Sequence, residues 1–167
     1  MFESTKFIPP EIKNKIKGTE WEELKVDLLV VILGQRLEVF RSGESASGKW
    51  APLKKNSLRK YKGKEHHILQ DEGILRNSFT SGSGEGSEFK EEIITADEVV
   101  LATNVEYAAI HNEGGTINHP GTDNGFGRGI VIPAHSIEIE ARPFNEFSDE
   151  QTDEISELIE MYLNESL

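Results

Sequence analysis

Two stretches of helical periodicity enclose a middle of strand periodicity, and this change of period limits the possible folds more than any other feature of the chain. In the first stretch, Thr19 and Glu22 have the form of a capping box. Trp21, Leu24, Leu28, Val31, Ile32 and Val39 then recur at helical spacing up to Ser42-Gly43. Gly34 weakens the middle of this run and the β-branched Val30-Val31-Ile32 suits a strand as well, but helix is the expectation. In the last stretch, Ser148 and Gln151 form a second capping box, with Asp149 and Glu150 in the first turn where the helix dipole favours carboxylates. Ile155, Leu158, Ile159, Tyr162 and Leu163 follow on one face.

Between them, Phe89 to Thr95 and Glu98 to Thr103 are β-branched runs that predict two antiparallel strands turning at Ala96-Asp97. Tyr107, Ile110 and His111 stack at i, i+3 and i+4, predicting a short helix stopped by Gly114-Gly115. Ile130 to Ile132, and Ile137 and Ile139 alternating with Glu138 and Glu140, predict further strand with one buried and one acidic face. Arg142-Pro143 ends it and sets Phe144 to pack under Tyr162 or a partner. The expected fold class is α+β: an antiparallel sheet packed against a long N-terminal helix and a C-terminal helix, with long mobile loops.

The 167 residues suit a single domain spanning 1–167. Residues 42–64 read as a flexible arm pinned by Trp50, Leu53, Leu58 and Tyr61. Leu75, Asn77 and Phe79 alternate before a mobile Ser/Gly tract at about 81–88, and a second mobile loop is expected at about 116–129, where Gly121, Gly125, Gly127 and Gly129 cluster. Cysteine is absent, so no disulfide, thiolate metal site or Cys nucleophile is available. No secretory leader is visible, and the longest apolar run, Leu28 to Leu33, is far short of the roughly 20 residues that cross a bilayer. A protein that stays where it is made, without membrane partners, is expected.

Charge is unevenly placed. Net charge is −12, which disfavours generic binding to nucleic acid. Yet residues 45–64 carry seven basic groups (Lys49, Lys54, Lys55, Arg59, Lys60, Lys62, Lys64) and no acidic one, while ten carboxylates against Arg142 alone fill the chain from Glu138 onward. Solvated faces explain such asymmetry, but head-to-tail contacts between copies use it too. Trp50 and Tyr61 among lysines have the makings of a stacking platform for single-stranded nucleic acid, against which the acidic remainder argues. His111, His119 and His135 with Glu113 contain enough ligands for zinc, but no His-Glu-x-x-His accompanies them. The glycines of 121–129 lack a phosphate loop's Lys-Ser/Thr, and no serine has a Gly-x-Ser-x-Gly setting. No catalytic residue and no cofactor are therefore assigned.

Four segments together resemble a known family. Gly48-Lys49-Trp50-Ala51-Pro52-Leu53 is similar to a W-x-P-L motif, and Ile68-Leu69-Gln70-Asp71-Glu72-Gly73-Ile74-Leu75-Arg76-Asn77-Ser78 to I-L-x-D-x-G-x-L-x-x-S. Tyr107-Ala108-Ala109-Ile110-His111-Asn112-Glu113-Gly114-Gly115 is similar to Y-A-x-I-H-x-x-G-G, and Ala141-Arg142-Pro143-Phe144 to an A-R-P-F run before a terminal helix. In this order they resemble the phage virion morphogenesis family, which includes Mu G-like and S-type tail-completion proteins. The family's proline-alanine-arginine-proline-phenylalanine run is split here, Pro133-Ala134 standing apart from Ala141-Arg142-Pro143-Phe144, so an inserted strand or loop is expected.

The resemblance implies a non-enzymatic structural protein that completes or terminates the tail at its head-proximal end. It implies self-association into a ring, a hexamer being one candidate size, with the tail tube and the neck or connector proteins as partners. The location implied is the bacterial host's cytoplasm during assembly and the virion tail or neck afterwards. Candidate interface residues are Trp50, Lys54, Lys55, Arg59, Lys60 and Tyr61 of the arm with Arg142, Phe144, Glu154 and Glu157 of the C-terminal region, while Tyr107, His111, Gly114 and Gly115 form a structural motif. The alternatives are a head-completion or other neck role and, from another class, a small metal-dependent hydrolase using His111, His119 and His135.

Overall fold

The structure, a computed structural model, describes residues 2–4, 12, 14–16, 18–54, 67–80, 83–95, 98–125 and 130–165. Its longest element is helix α1 (Thr19–Ser42), in which Trp21, Leu24, Leu28, Ile32, Val39 and Phe40 form a buried face. The helical period wins over the β propensity of Val30-Val31-Ile32 because it lets this face pack on both the sheet and the C-terminal helix. The expected capping box does not form. Gly18 is the N-cap, at φ 65° and ψ −135°, and no side chain caps the helix. The helix thus begins one residue early and already includes Thr19. Gly43 ends it in the left-handed region, its N–H bonded to Val39 O at 2.9 Å.

The arm expected from residue 42 is ordered at its start. Strands β2 (Glu44–Ser45) and β3 (Gly48–Lys49) make a tight hairpin that returns Trp50 onto the end of α1. Residues 55–66, with Lys55, Arg59, Lys60 and Tyr61, lie outside the described residues. Leu75 and Asn77 are not in a strand but in a single helical turn, α2 (Ile74–Asn77), too short to impose a period on the sequence.

Strands β4 (Lys90–Ile94) and β5 (Val99–Thr103) pair antiparallel as expected, from Ile94 opposite Val99 to Lys90 opposite Thr103. A third strand, β1 (Phe2–Ser4), pairs with the other edge of β5, which is buried at every residue. Helix α3 (Ala108–Glu113) follows. The stretch expected as a loop is instead largely paired strand: β6 (Gly115–His119) lies antiparallel to β9 (His135–Ile139), and β7 (Thr122–Gly125) to β8 (Ile130–Ile132). Strand β9 is what separates Pro133-Ala134 from Ala141.

Helix α4 (Asp149–Glu165) closes the fold and realises its capping box. Gln151 N donates to Ser148 Oγ and Ser148 N to Gln151 Oε1, both at 3.2 Å. Ile155, Ile159 and Tyr162 are buried, and the Tyr162 hydroxyl donates to Asp27 of α1 at 2.6 Å. Among the described residues the molecule is mixed α and β, with four α-helices, long ones near both ends, and small antiparallel sheets.

Candidate assembly surfaces

The four motif segments meet at one junction. Trp50 is buried, edge-on to Phe40 with ring centroids 5.8 Å apart, and its Nε1 donates to Pro143 O at 2.8 Å. Phe144 is fully buried, its ring 5.4 Å from that of Phe40 and 5.3 Å from that of Phe79. Arg142 N donates to His111 O at 2.8 Å, and its guanidinium reaches Ala51 O and the Glu140 carboxylate. Asn112 Oδ1 accepts from the backbone N–H groups of Phe144 and Asn145 at 3.0 and 3.2 Å. From α1, Arg36 completes the junction, donating to Phe144 O and Glu146 O and lying 4.1 Å from the Phe147 ring centre. Burial holds its pKa down to about 10, while Glu146 opposes that shift.

Trp50, Arg142 and Phe144 are therefore spent inside their own chain and are not exposed interface residues. Phe144 packs between Phe40 and Phe79 inside its own chain. Arg36 and Asn112 were not singled out from the sequence. Arg36 had a signal: a charged residue at core spacing between Ile32 and Phe40 must find partners inside. Asn112 had none, because its role depends on a chain more than thirty residues downstream.

Beside the junction is a pocket of about 400 Å³ lined by Leu53, Leu69, Asp71, Tyr107, His111 and Arg142, drawing on all four motifs. Leu69 sits at φ 60°, a conformation that is costly for a branched side chain. The Tyr107 ring lies edge-on to His111 at 5.7 Å. Burial, and secondarily the charge of Arg142, lowers the pKa of His111; burial, then Glu72, raises that of Tyr107. Both are thereby held neutral at pH 7. The His111 Nδ1 and Arg142 Nε atoms are buried without a hydrogen-bond partner. Such a pocket can take an apolar side chain carrying a polar tip.

The histidines do not assemble. His119 and His135 stack across β6 and β9 with centroids 5.1 Å apart, while His111 belongs to α3 at the junction. Among the described residues no group of three or more His, Cys, Asp or Glu is placed to hold a metal ion, so the ligand set of the hydrolase alternative is not brought together.

The strands from β6 to β9 form a ribbon with a chemistry of its own. Register sets Ile117 opposite Ile137 and His119 opposite His135, so these four side chains share one face. The other face carries Thr116, Glu138 and the hydrogen-bonded pair Asn118 and Ser136. Ile117 is 43% exposed, Ile137 42% and Val131 68%, contrary to the expected buried face on β9. The ribbon leaves the body at Gly114, whose φ of 76° and ψ of 177° lie outside the left-handed helical stop expected there. A Cβ at Gly114 would meet Ala141 N at 2.9 Å, so glycine is required.

Of the charged candidates, Lys54 is exposed and pairs loosely with Glu140 at 3.7 Å. Glu154 accepts from Gln35 at 2.6 Å, and Glu157 is exposed on α4 beside a groove along α1.

Neither the curated proteins nor the solved structures contain a match to this chain. A family model does match, over residues 33–164, and this span takes in the end of α1, the whole junction, the ribbon and nearly all of α4: the chain belongs to the phage virion morphogenesis family.

Proposed function

We propose that this protein completes the phage tail at its head-proximal end as a homo-oligomeric ring that joins tail to neck. A structural role in phage assembly follows from the family; the position and the ring are the further step. The observation that carries this step is the ribbon, whose apolar side chains Ile117, Ile137 and Val131 stand exposed among the described residues. A two-stranded ribbon is marginal in water by itself and becomes stable when its apolar face packs on something else. An element of this kind, attached to a body closed by its own core, is suited to reach a neighbour. The partners are further copies, the tail tube and the neck proteins. The protein requires no cofactor and performs no catalysis in this role.

The decisive experiment has two arms. Native mass spectrometry and negative-stain imaging of the purified chain, alone and with tail tubes, should give a closed ring with a pore matching the tube. A strict monomer even with tubes present overturns the proposal. Deletion of the gene in the parent phage or prophage should leave full heads beside unjoined or overlong tails. Normal virions overturn it, and tails without full heads point to head completion instead.

A further inference from the structure

Gly34 lies in the interior of α1, where glycine lowers the folded population roughly four- to fivefold relative to alanine. Among the described residues nothing calls for it. A Cβ added at Gly34 would meet no atom within 4 Å, and its backbone is ordinary helix. Val26, Val30 and Leu37, at helical spacing on the same side, are 51%, 62% and 37% exposed. The outer side of α1 is thus an apolar stripe with a bare stretch of backbone in its middle, beyond what its own core uses.

Gly34 also floors a groove of about 890 Å³ between α1 and α4, walled by Gln35, Glu38, Glu150, Asp153 and Glu157. Gln35 is 93% buried by its 7% exposure. Its Nε2 donates to Gln151 O at 3.0 Å and to Glu154 Oε2 at 2.6 Å, which fixes the amide and leaves Oε1 with no donor. The carboxylates and the spare carbonyl are all acceptors. The groove therefore calls for an occupant that brings cationic donors, carries no carboxylate, and approaches α1 closely enough to need a missing Cβ.

We infer that the α1–α4 groove is the receptor for a second copy of this chain, which seats its lysine-rich segment against Gly34. Residues 45–64 have the required chemistry, with seven basic groups and no acidic one. Because the segment comes from one copy and the groove from the next, the contact is head-to-tail and its repetition closes a ring. The inference rests on the ring reading above and names the surface that builds it.

Gly34→Ala separates this role from a structural one, since the two effects have opposite signs. The melting temperature of the variant should rise by about 2–4 °C, while its self-association in sedimentation velocity weakens at least tenfold. Reversing the groove (Glu150→Lys, Asp153→Lys, Glu157→Lys) or the segment (Lys54→Glu, Lys55→Glu, Arg59→Glu, Lys60→Glu) should each abolish assembly. Mixing the two reversed proteins should restore rings of alternating copies. If Gly34→Ala and both reversals leave the oligomer as tight as before, the groove is not the contact, although the ring reading stands. A wild-type protein that never assembles overturns both.

Discussion

The junction and the ribbon are joined where the chain leaves at Gly114 and returns at Glu140, yet they are held by different forces. At the junction, Trp50, Arg142, Phe144 and Asn112 come from segments far apart in the chain and bind one another through buried rings and backbone hydrogen bonds. In the ribbon, β6 contacts β9 and β7 contacts β8, and the apolar side chains Ile117, Ile137 and Val131 remain exposed. The family motifs gather at the junction, where they serve the fold. The exposed apolar residues of the ribbon, Ile117, Val131 and Ile137, lie outside all four motifs.

If the junction is the keystone, Phe144→Ala should be the most damaging substitution. It removes a fully buried ring lying between Phe40 and Phe79, a change that costs about 3–5 kcal/mol in well-packed cores. Urea unfolding followed by tryptophan fluorescence should show the midpoint collapse. A loss below about 1 kcal/mol would mean that the cluster can refill, and that the motifs are kept for another purpose.

Gly114→Ala tests the root where the two regions meet. The new methyl would press on Ala141 N at 2.9 Å and Ile139 O at 3.1 Å, and the backbone at φ 76° would be strained as well. Such strain costs about 1–3 kcal/mol. The expected result is a moderate drop in stability together with faster hydrogen exchange across β6 and β9. A drop with ribbon exchange unchanged would show that Gly114 serves the junction alone.

How far these regions could be read from the sequence follows the same division. Helix α4 was legible because its cap and its apolar period depend only on neighbours within one turn, and β4 and β5 because buried strands demand β-branched runs. Thr19 misled because the glycine before it can also begin a helix. Of the ribbon, β8 and β9 were legible as strand from Ile130 to Ile132 and from the alternation of Ile137 and Ile139, whereas β6 and β7 read as a loop because they pair through backbone hydrogen bonds and need no hydrophobic alternation. The Gly and Pro residues around them then dominate the local signal. Composition marks Lys54 and Glu157 by their charge, which the structure leaves exposed, but it could not tell that Trp50 and Phe144 are buried within their own fold.

A smaller effect distinguishes the junction by pH. His111 has a pKa below its ordinary 6.5 because burial and Arg142 disfavour the imidazolium. A group depressed in the folded state binds protons more readily when unfolded. Its contribution is therefore intact above about pH 6.5 and is lost as pH falls through the folded value. His111→Gln should accordingly narrow the stability gap between pH 7.5 and pH 5.5, measured as melting temperatures of both proteins at each pH. An equal gap in the variant would assign the acid sensitivity to other groups and remove His111 from the junction's energetics.

The smallest effect on stability belongs to the ribbon, and there a near-null is the informative result. Ile117→Ser with Ile137→Ser removes a cross-strand pair that stands exposed on the ribbon, so the unfolding midpoint reported by Trp21 and Trp50, both in the body, should move by no more than about 0.5 kcal/mol. The pair itself contributes roughly 0.2–1 kcal/mol within the ribbon, and this is invisible to a body that unfolds independently. Assembly measured on the same samples should be lost. If instead the body's midpoint falls by as much as it does for Gly114→Ala, ribbon and junction unfold as one cooperative unit. The exposed isoleucines would then be supporting the fold rather than reserved for a neighbour.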